Sequence, residues 1–162
     1  MVEAPLVDLF RYNAWATRRA LDFVRNLPPG QRRLVALGAY GNLEQTIAHL
    51  VRADDYYVFL LTGERPEHAL VESEQVDLDD LAAHAERGAR LFEQVAASNP
   101  DPNAPCVGSR PGTRPARVGI VLSQALHHGN EHRGQMRTIL GANGIKPPDI
   151  SPWAFGGGSE DW

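Results

Sequence analysis

Two histidines, His128 and His132, lie four residues apart in the last third of the chain. If this segment is helical, their side chains share one face, with Cβ atoms about 5–6 Å apart. Imidazole nitrogens bind a divalent ion such as zinc at about 2.0–2.1 Å, so two rings at this spacing can reach the same ion. The pair therefore indicates a metal site, provided that the shared face is buried.

The surrounding sequence predicts that this face is buried. Apolar residues recur at helical spacing from Pro115 to Ala142, and both histidines fall on the apolar face, whereas His127 falls on the opposite face. Each neutral imidazole needs a donor and an acceptor partner, and two protonated rings side by side would repel each other. A shared cation would satisfy both rings.

A third ligand has to come from another helix, and His49 is the best candidate. It lies at the edge of the apolar face of the second predicted helix. His84 is expected off the apolar face of the third predicted helix, and His68 is expected in a loop. Three neutral protein ligands leave at least one position open, which is typical of a catalytic rather than a structural metal site.

Several polar residues are predicted near these apolar faces, where they could orient the imidazole rings. Asn13 and Thr17 interrupt the apolar face of the first helix, and we expect them to form a buried pair that hydrogen-bonds locally, with an orienting role as the alternative. The other candidates for this orienting role are Asp54, Glu131 and Gln135.

The string His128-Gly-Asn-Glu131-His132 also matches the H-x-x-E-H pattern of inverted zincin proteases. Such enzymes need a further acidic ligand well downstream, but the acidic residues after His132 lie in a tail rich in proline and glycine. We therefore reject the protease interpretation. Glu131 is expected to be a solvated surface carboxylate, with a proton-transfer role as the alternative.

Four long amphipathic helices, separated by segments rich in proline and glycine, are expected to position these residues. Asn42 followed three residues later by Gln45 predicts a capping box at the start of the second helix, and Gly63 predicts a left-handed cap at its end. The predicted ranges are Pro5 to Leu27, Asn42 to Thr62, Asp77 to Ser98 and Pro115 to Ala142.

The length of 162 residues fits a single domain, 1–162, with an extended tail from residue 146. The net charge is −4 with the two signs interspersed, which argues against nucleic acid as a partner. No apolar run reaches the length of a membrane span, and the first residues do not resemble a signal peptide, so we expect a cytoplasmic protein. Cys106 is the only cysteine, which excludes an internal disulfide and a cysteine-based zinc site.

Aromatic residues in the tail, Trp153, Phe155 and Trp162, have two interpretations. They could cover the mouth of the metal site or a partner's surface, or they could anchor the tail by hydrophobic packing. We favour anchoring for Trp162.

The string from His128 to Gln135, HGNEHRGQ, resembles the H-x3-H-R-G-Q motif of the DinB/YfiT-like family. The segments FRYNAWAT at 10–17 and TIAHLVRAD at 46–54 are similar to the first two helices of that family, and PDISPW at 148–153 is similar to its closing segment. The resemblance covers nearly the whole chain, although the third helix and residues 99–114 are not distinctive.

This resemblance implies an all-α four-helix bundle of up-down-down-up topology, often assembled as a homodimer. It also implies a three-histidine site for a divalent metal, whose ligand positions carry over to His49, His128 and His132. We expect zinc or nickel at this site, with iron as the next choice. Family members of known chemistry include metal-dependent transferases and isomerases that use low-molecular-weight thiols. Because no cysteine is expected near the site, a thiol would have to be a small-molecule partner.

Three functions are compatible with these observations. The first is a metal-dependent enzyme, either a thiol-dependent S-transferase or a hydrolase. The second is a non-catalytic stress-response protein that binds a metal or a small ligand. The third is a metal-free bundle whose histidines are structural and whose role is protein interaction. The fold cannot choose among them, because four-helix bundles host unrelated functions.

Overall fold

The computed structural model describes residues 5–70, 77–108 and 112–157, so the tail residue Trp162 lies outside the described part. The described residues form four long helices and two helices of a single turn. No strand occurs among them. The helices are α1 (Pro5–Arg25), α2 (Pro29–Arg32), α3 (Leu43–Thr62), α4 (Leu78–Ala97), α5 (Val118–Ala142) and α6 (Pro152–Phe155).

The four long helices were predicted, with small differences at their ends. Helix α1 ends two residues early because Leu27 precedes Pro28, and a residue before proline disfavours the helical conformation. Helix α5 begins three residues late because Arg117 is extended and pairs with Pro105 in an isolated bridge. The one-turn helices α2 and α6 were not predicted, since one turn is too short to show a periodic pattern.

Both predicted caps of α3 are confirmed. The Asn42 side chain accepts a hydrogen bond from the backbone N–H of Gln45, whose side chain accepts one from the backbone N–H of Asn42. Gly63 ends the helix with φ of +77°, a left-handed conformation that glycine adopts without strain. The start of α3 at Leu43 is therefore fixed locally, six residues before His49.

Ion pairs and ring contacts show how the long helices run. Arg11 near the start of α1 pairs with Glu93 near the end of α4, and Arg25 at the end of α1 pairs with Asp79 at the start of α4, so these helices are antiparallel.

Helices α3 and α5 are also antiparallel. His49 near the start of α3 contacts His132 in the second half of α5. Tyr57 near the end of α3 accepts a hydrogen bond from Gln124 near the start of α5.

Two apolar clusters at opposite ends of the bundle form the core. In the first cluster, the ends of α1 and α5 pack with the starts of α3 and α4. In the second cluster, the starts of α1 and α5 pack with the ends of α3 and α4. Helices α1 and α5 are therefore parallel, as are α3 and α4, which gives the up-down-down-up bundle. The first cluster includes Val24, Ile47, Leu81 and Ile139, and the second includes Phe10, Val58, Phe92 and Val121.

A layer of buried polar side chains separates the two clusters. Its members lie midway along the four long helices: Asn13, Thr17, Asp54, His84, His128, His132 and Arg133. The expectation that His84 lies off the buried face was wrong, because this side chain is only 4% exposed. It is buried against the carboxylate of Asp55, a partner on another helix that helical periodicity does not reveal.

The tail after α5 returns to α1. The Tyr12 hydroxyl donates a hydrogen bond to the backbone oxygen of Ile150, and the Phe155 ring packs 5.6 Å from the Trp15 ring. Phe155 therefore anchors the tail, whereas Trp153 is largely exposed. None of the described helices combines the length and the apolar character needed to cross a membrane.

Candidate metal centre

Helix α5 supplies two histidines to the polar layer. Their one-turn spacing brings the ring centroids of His128 and His132 within 4.3 Å, and their Nε2 atoms lie 3.0 Å apart. Both side chains are buried, as the apolar face predicted. His127 on the opposite face is 74% exposed and lies 3.9 Å from Glu131, which is also exposed, so both residues point to solvent.

Helix α3 supplies the third imidazole. The Nε2 atom of His49 lies 3.2 Å from that of His128, and the ligand nitrogens of all three histidines lie within 4.8 Å of one another. The structure thus brings together the three histidines that the sequence singled out. His49 is only partly buried, so this side of the centre is closest to solvent.

Gln135 fixes which nitrogen of His132 carries a proton. Its side-chain oxygen Oε1 lies 2.9 Å from Nδ1 of His132 and also accepts a hydrogen bond from the backbone N–H of Tyr40 at 3.2 Å. Because this atom is an acceptor, Nδ1 of His132 has to be the donor. The Nε2 atom of a neutral His132 therefore presents a lone pair to the other two histidines.

The environment keeps His128 neutral. Burial, together with repulsion from His132 and His49, lowers the pKa of His128 to about 4. Its Nδ1 atom is buried and has no hydrogen-bond partner within the described ranges. At neutral pH His128 is therefore uncharged, and uncharged imidazole is the form that binds metals.

Two tyrosine rings form the walls of the centre. The Tyr40 ring stacks on His49 with centroids 4.0 Å apart, and the Tyr57 ring meets His128 edge-on at 5.7 Å. Burial raises the pKa of the Tyr57 hydroxyl, although a hydrogen bond from Gln124 opposes this effect. The Tyr57 hydroxyl therefore stays neutral and hydrogen-bonded at neutral pH.

Arg133, next to His132, is buried at 2% exposure and was missed as a separate feature of the sequence. It donates hydrogen bonds to Thr17 Oγ1 at 2.9 Å and to the backbone oxygen of Asn13 at 3.5 Å. The expectation that Asn13 and Thr17 pair locally was therefore wrong, because Arg133 reaches across from α5. One feature of the sequence is consistent with the burial of Arg133. Gly129 lies one turn before it, and a side chain at that position would occupy the space of the guanidinium.

Asp54 belongs to the same buried network. Burial raises its pKa to about 7, against the attraction of the Arg133 guanidinium. Its Oδ1 atom and that of Asn13 are buried without partners in the described part of the protein, and both residues line a cavity of about 20 Å³. A space of this size can hold one water molecule. Asn13 and Asp54 thus interact with Arg133, whereas Gln135 contacts His132 directly.

The donor set fits a divalent transition metal. A tetrahedral ion with ligand bonds of about 2.0–2.1 Å separates its ligand atoms by about 3.3–3.4 Å. The observed separations of 3.0 and 3.2 Å between Nε2 atoms are close to that distance. His49, His128 and His132 could therefore hold one ion with little rearrangement.

Comparison with known proteins identifies the family of the chain. The model of the DinB family matches residues 1–155, which is almost the whole chain of 162 residues. A comparison with curated proteins gives no match.

Proposed function

This chain belongs to the DinB family, and we propose that it holds a divalent metal ion through His49, His128 and His132 and acts as a metal-dependent transferase or hydrolase. One observation carries the proposal: three imidazole Nε2 atoms from two helices converge in the polar layer of the bundle. Zinc and nickel are the ions that we propose first, followed by iron.

The residues around the centre have separable roles. The three histidines bind the ion as neutral ligands, and Gln135 orients His132 through its Nδ1 proton. A bound divalent ion with an open coordination position lowers the pKa of a water or thiol, which makes either a stronger nucleophile at neutral pH. Tyr40, stacked on His49, and Tyr57, edge-on to His128, shield the centre from bulk water on two sides.

A thiol nucleophile would have to be a separate molecule. Cys106, the only cysteine, is buried in the second apolar cluster, and burial raises the pKa of its thiol. We therefore propose a low-molecular-weight thiol as the co-substrate of a transferase, and water as the nucleophile of a hydrolase.

The first experiment measures metal binding by untagged protein. Wild type and His127→Ala should bind zinc or nickel equally, whereas His128→Ala should lose the ion held at this centre. The two variants remove neighbouring histidines from one helix, so they differ chiefly in whether the ring faces the centre. Equal binding by His128→Ala and His127→Ala would reject the site.

The second experiment separates an enzyme from a binding protein. Metal-loaded protein is incubated with low-molecular-weight thiols and electrophiles such as epoxides and haloarenes, and separately with ester and amide substrates. Turnover that His128→Ala lacks and His127→Ala retains is the expected result. Tight metal binding without turnover on either panel would favour a non-catalytic binding function instead.

A further inference from the structure

A second group of ligand atoms lies between α3 and α4. It consists of Nε2 of His68, Nε2 of His84 and Oδ1 of Asp80, all within 4.8 Å of one another. His68 lies 2.7 Å from Asp80 and 3.3 Å from His84, and His84 lies 3.7 Å from Asp80. We propose that these three residues form a second binding site for a divalent transition-metal ion.

The separations suit coordination. The three distances between ligand atoms lie on either side of the separation of about 3.3–3.4 Å that is expected between the ligands of a tetrahedral ion with bonds of about 2.0–2.1 Å. Two imidazoles and one carboxylate form a ligand set that binds zinc or ferrous iron and leaves further positions open. Asp80 and His84 are one turn apart on α4, which places both on one face of the helix.

Asp55 prepares His84 for this role. The Nδ1 atom of His84 lies 2.6 Å from Oδ2 of Asp55, and both groups are buried. A carboxylate accepts a hydrogen bond from Nδ1–H, so Nε2 of a neutral His84 presents its lone pair to His68 and Asp80. A carboxylate behind a ligating histidine is the usual outer partner in metal sites, where it orients the ring and raises its basicity.

When His68 and His84 are both neutral, the protons in the cluster do not satisfy its acceptors. Nε2 of His68 faces both Asp80 and His84, but it can carry only one proton. With His84 neutral, at least one lone pair therefore faces another acceptor. A cation would remove this mismatch. Since the His68 side chain is 63% exposed, an ion can reach the cluster from solvent.

This site is separate from the three-histidine centre. The two share no ligand, and they lie on different sides of α3, since six residues from His49 to Asp55 correspond to a rotation of about 120°. An ion held here would tie the segment after α3, which carries His68, to the first two turns of α4. The inference therefore stands independently of the proposed enzymatic activity.

Zinc titration of metal-free, untagged protein by calorimetry tests the second site. Wild type should bind two zinc ions per chain and His68→Ala one. Glu67→Ala, a change at an exposed neighbour, should still bind two. Asp55→Asn should weaken the second site by about 10–100-fold, because the ring of His84 loses its carboxylate partner. His68 is exposed, so its replacement should leave the fold intact, which circular dichroism checks.

The outcomes distinguish the two sites. Zinc stoichiometry and affinity unchanged in His68→Ala would overturn the second site, as would a single zinc that only His128→Ala removes. A single zinc that His68→Ala removes and His128→Ala retains would support the second site and reject the three-histidine centre. Binding lost in His68→Ala but unaffected in Asp55→Asn would indicate an adventitious surface ion and also count against a built site. Anomalous scattering at the zinc edge from crystals gives the position directly.

Discussion

Gln135 shows how one amide can determine the chemistry of the centre. Because the backbone N–H of Tyr40 donates to Oε1, this oxygen is an acceptor and His132 has to hold its proton on Nδ1. The amide thus links α5 to the turn before α3 and at the same time exposes the Nε2 lone pair. Metal affinity should therefore depend on Gln135 even though it is not a ligand.

We expect Gln135→Leu to weaken zinc binding at the three-histidine centre by about 10–100-fold, since the acceptor for the His132 proton is lost. Competition with a chelating dye measures the affinity. Gln135→Glu is the matched control, because it keeps an acceptor oxygen at the same position and should retain binding. Wild-type affinity in Gln135→Leu would contradict the assigned tautomer.

Asp54 should make stability depend on pH. Its pKa is about 7 in the folded protein, above the ordinary aspartate value of 3.8, so the folded state holds a proton more tightly than the unfolded chain. The contribution of the neutral carboxyl is fully present below about pH 4 and is lost as pH rises through about 7. Asp54→Asn removes this titration.

Urea unfolding of metal-free wild type and Asp54→Asn at pH 5 and pH 8 measures this effect. The histidines titrate in both proteins, so their effect cancels in the difference between the two free energies of unfolding. The stability of wild type relative to Asp54→Asn should be lower at pH 8 than at pH 5. A constant difference would show that attraction to Arg133 cancels the cost of burying the carboxylate, and a difference that grows with pH would show that the attraction outweighs this cost.

At the scale of elements, Gly129 allows α1 and α5 to approach at the polar layer. A Cβ atom at this position would lie 2.7 Å from Asn13 Oδ1 and 2.9 Å from the NH1 atom of Arg133. Distances this short require the buried network to move. The glycine therefore permits Arg133 to reach Thr17 across the helix interface.

Gly129→Ala should destabilise the protein by about 1–2 kcal/mol, since overpacking of about 1–3 kcal/mol outweighs a gain of up to about 1 kcal/mol in helix propensity. Gly134→Ala on the same helix is the control. No atom lies within 4 Å of its added Cβ, and it should stabilise the protein by about 0.5–1 kcal/mol. Urea denaturation measures both changes, and equal effects in the two variants would contradict the packing argument.

At the scale of the whole molecule, the polar layer divides the core into two apolar halves. Among the residues that the structure describes, several buried groups of this layer have hydrogen-bonding atoms without a partner, including Asn13 and His128. Such groups destabilise a bundle unless water or an ion completes their interactions. A metal that joins α3 to α5 should therefore contribute to folding as well as to chemistry.

Metal binding should raise the melting temperature. In the His68→Ala background, which leaves only the three-histidine centre, free zinc at about 100 times the dissociation constant should stabilise the fold by about 2.7 kcal/mol, or about 5–11 °C. Adding His128→Ala should abolish the increase, and adding His127→Ala should not. A melting temperature that does not respond to zinc and chelator would reject the centre.

The sequence alone determined the features that depend on local spacing. The rise and turn of a helix place His128 and His132 on one face whatever surrounds them, and the caps of α3 form between residues three apart. The position of His49 at the edge of a predicted apolar face made it the best candidate for the third ligand, and the resemblance to a known family implied the same ligand set and the bundle topology.

Only the tertiary structure decided which polar residues are buried and with whom. His84 is buried because Asp55, 29 residues away in sequence, accepts a hydrogen bond from its ring. Arg133 is buried because Thr17, 116 residues away, accepts a hydrogen bond from its guanidinium. A charged or polar side chain is stable in a core only with such a partner. Periodicity describes one helix at a time, so it cannot reveal a partner that another helix provides.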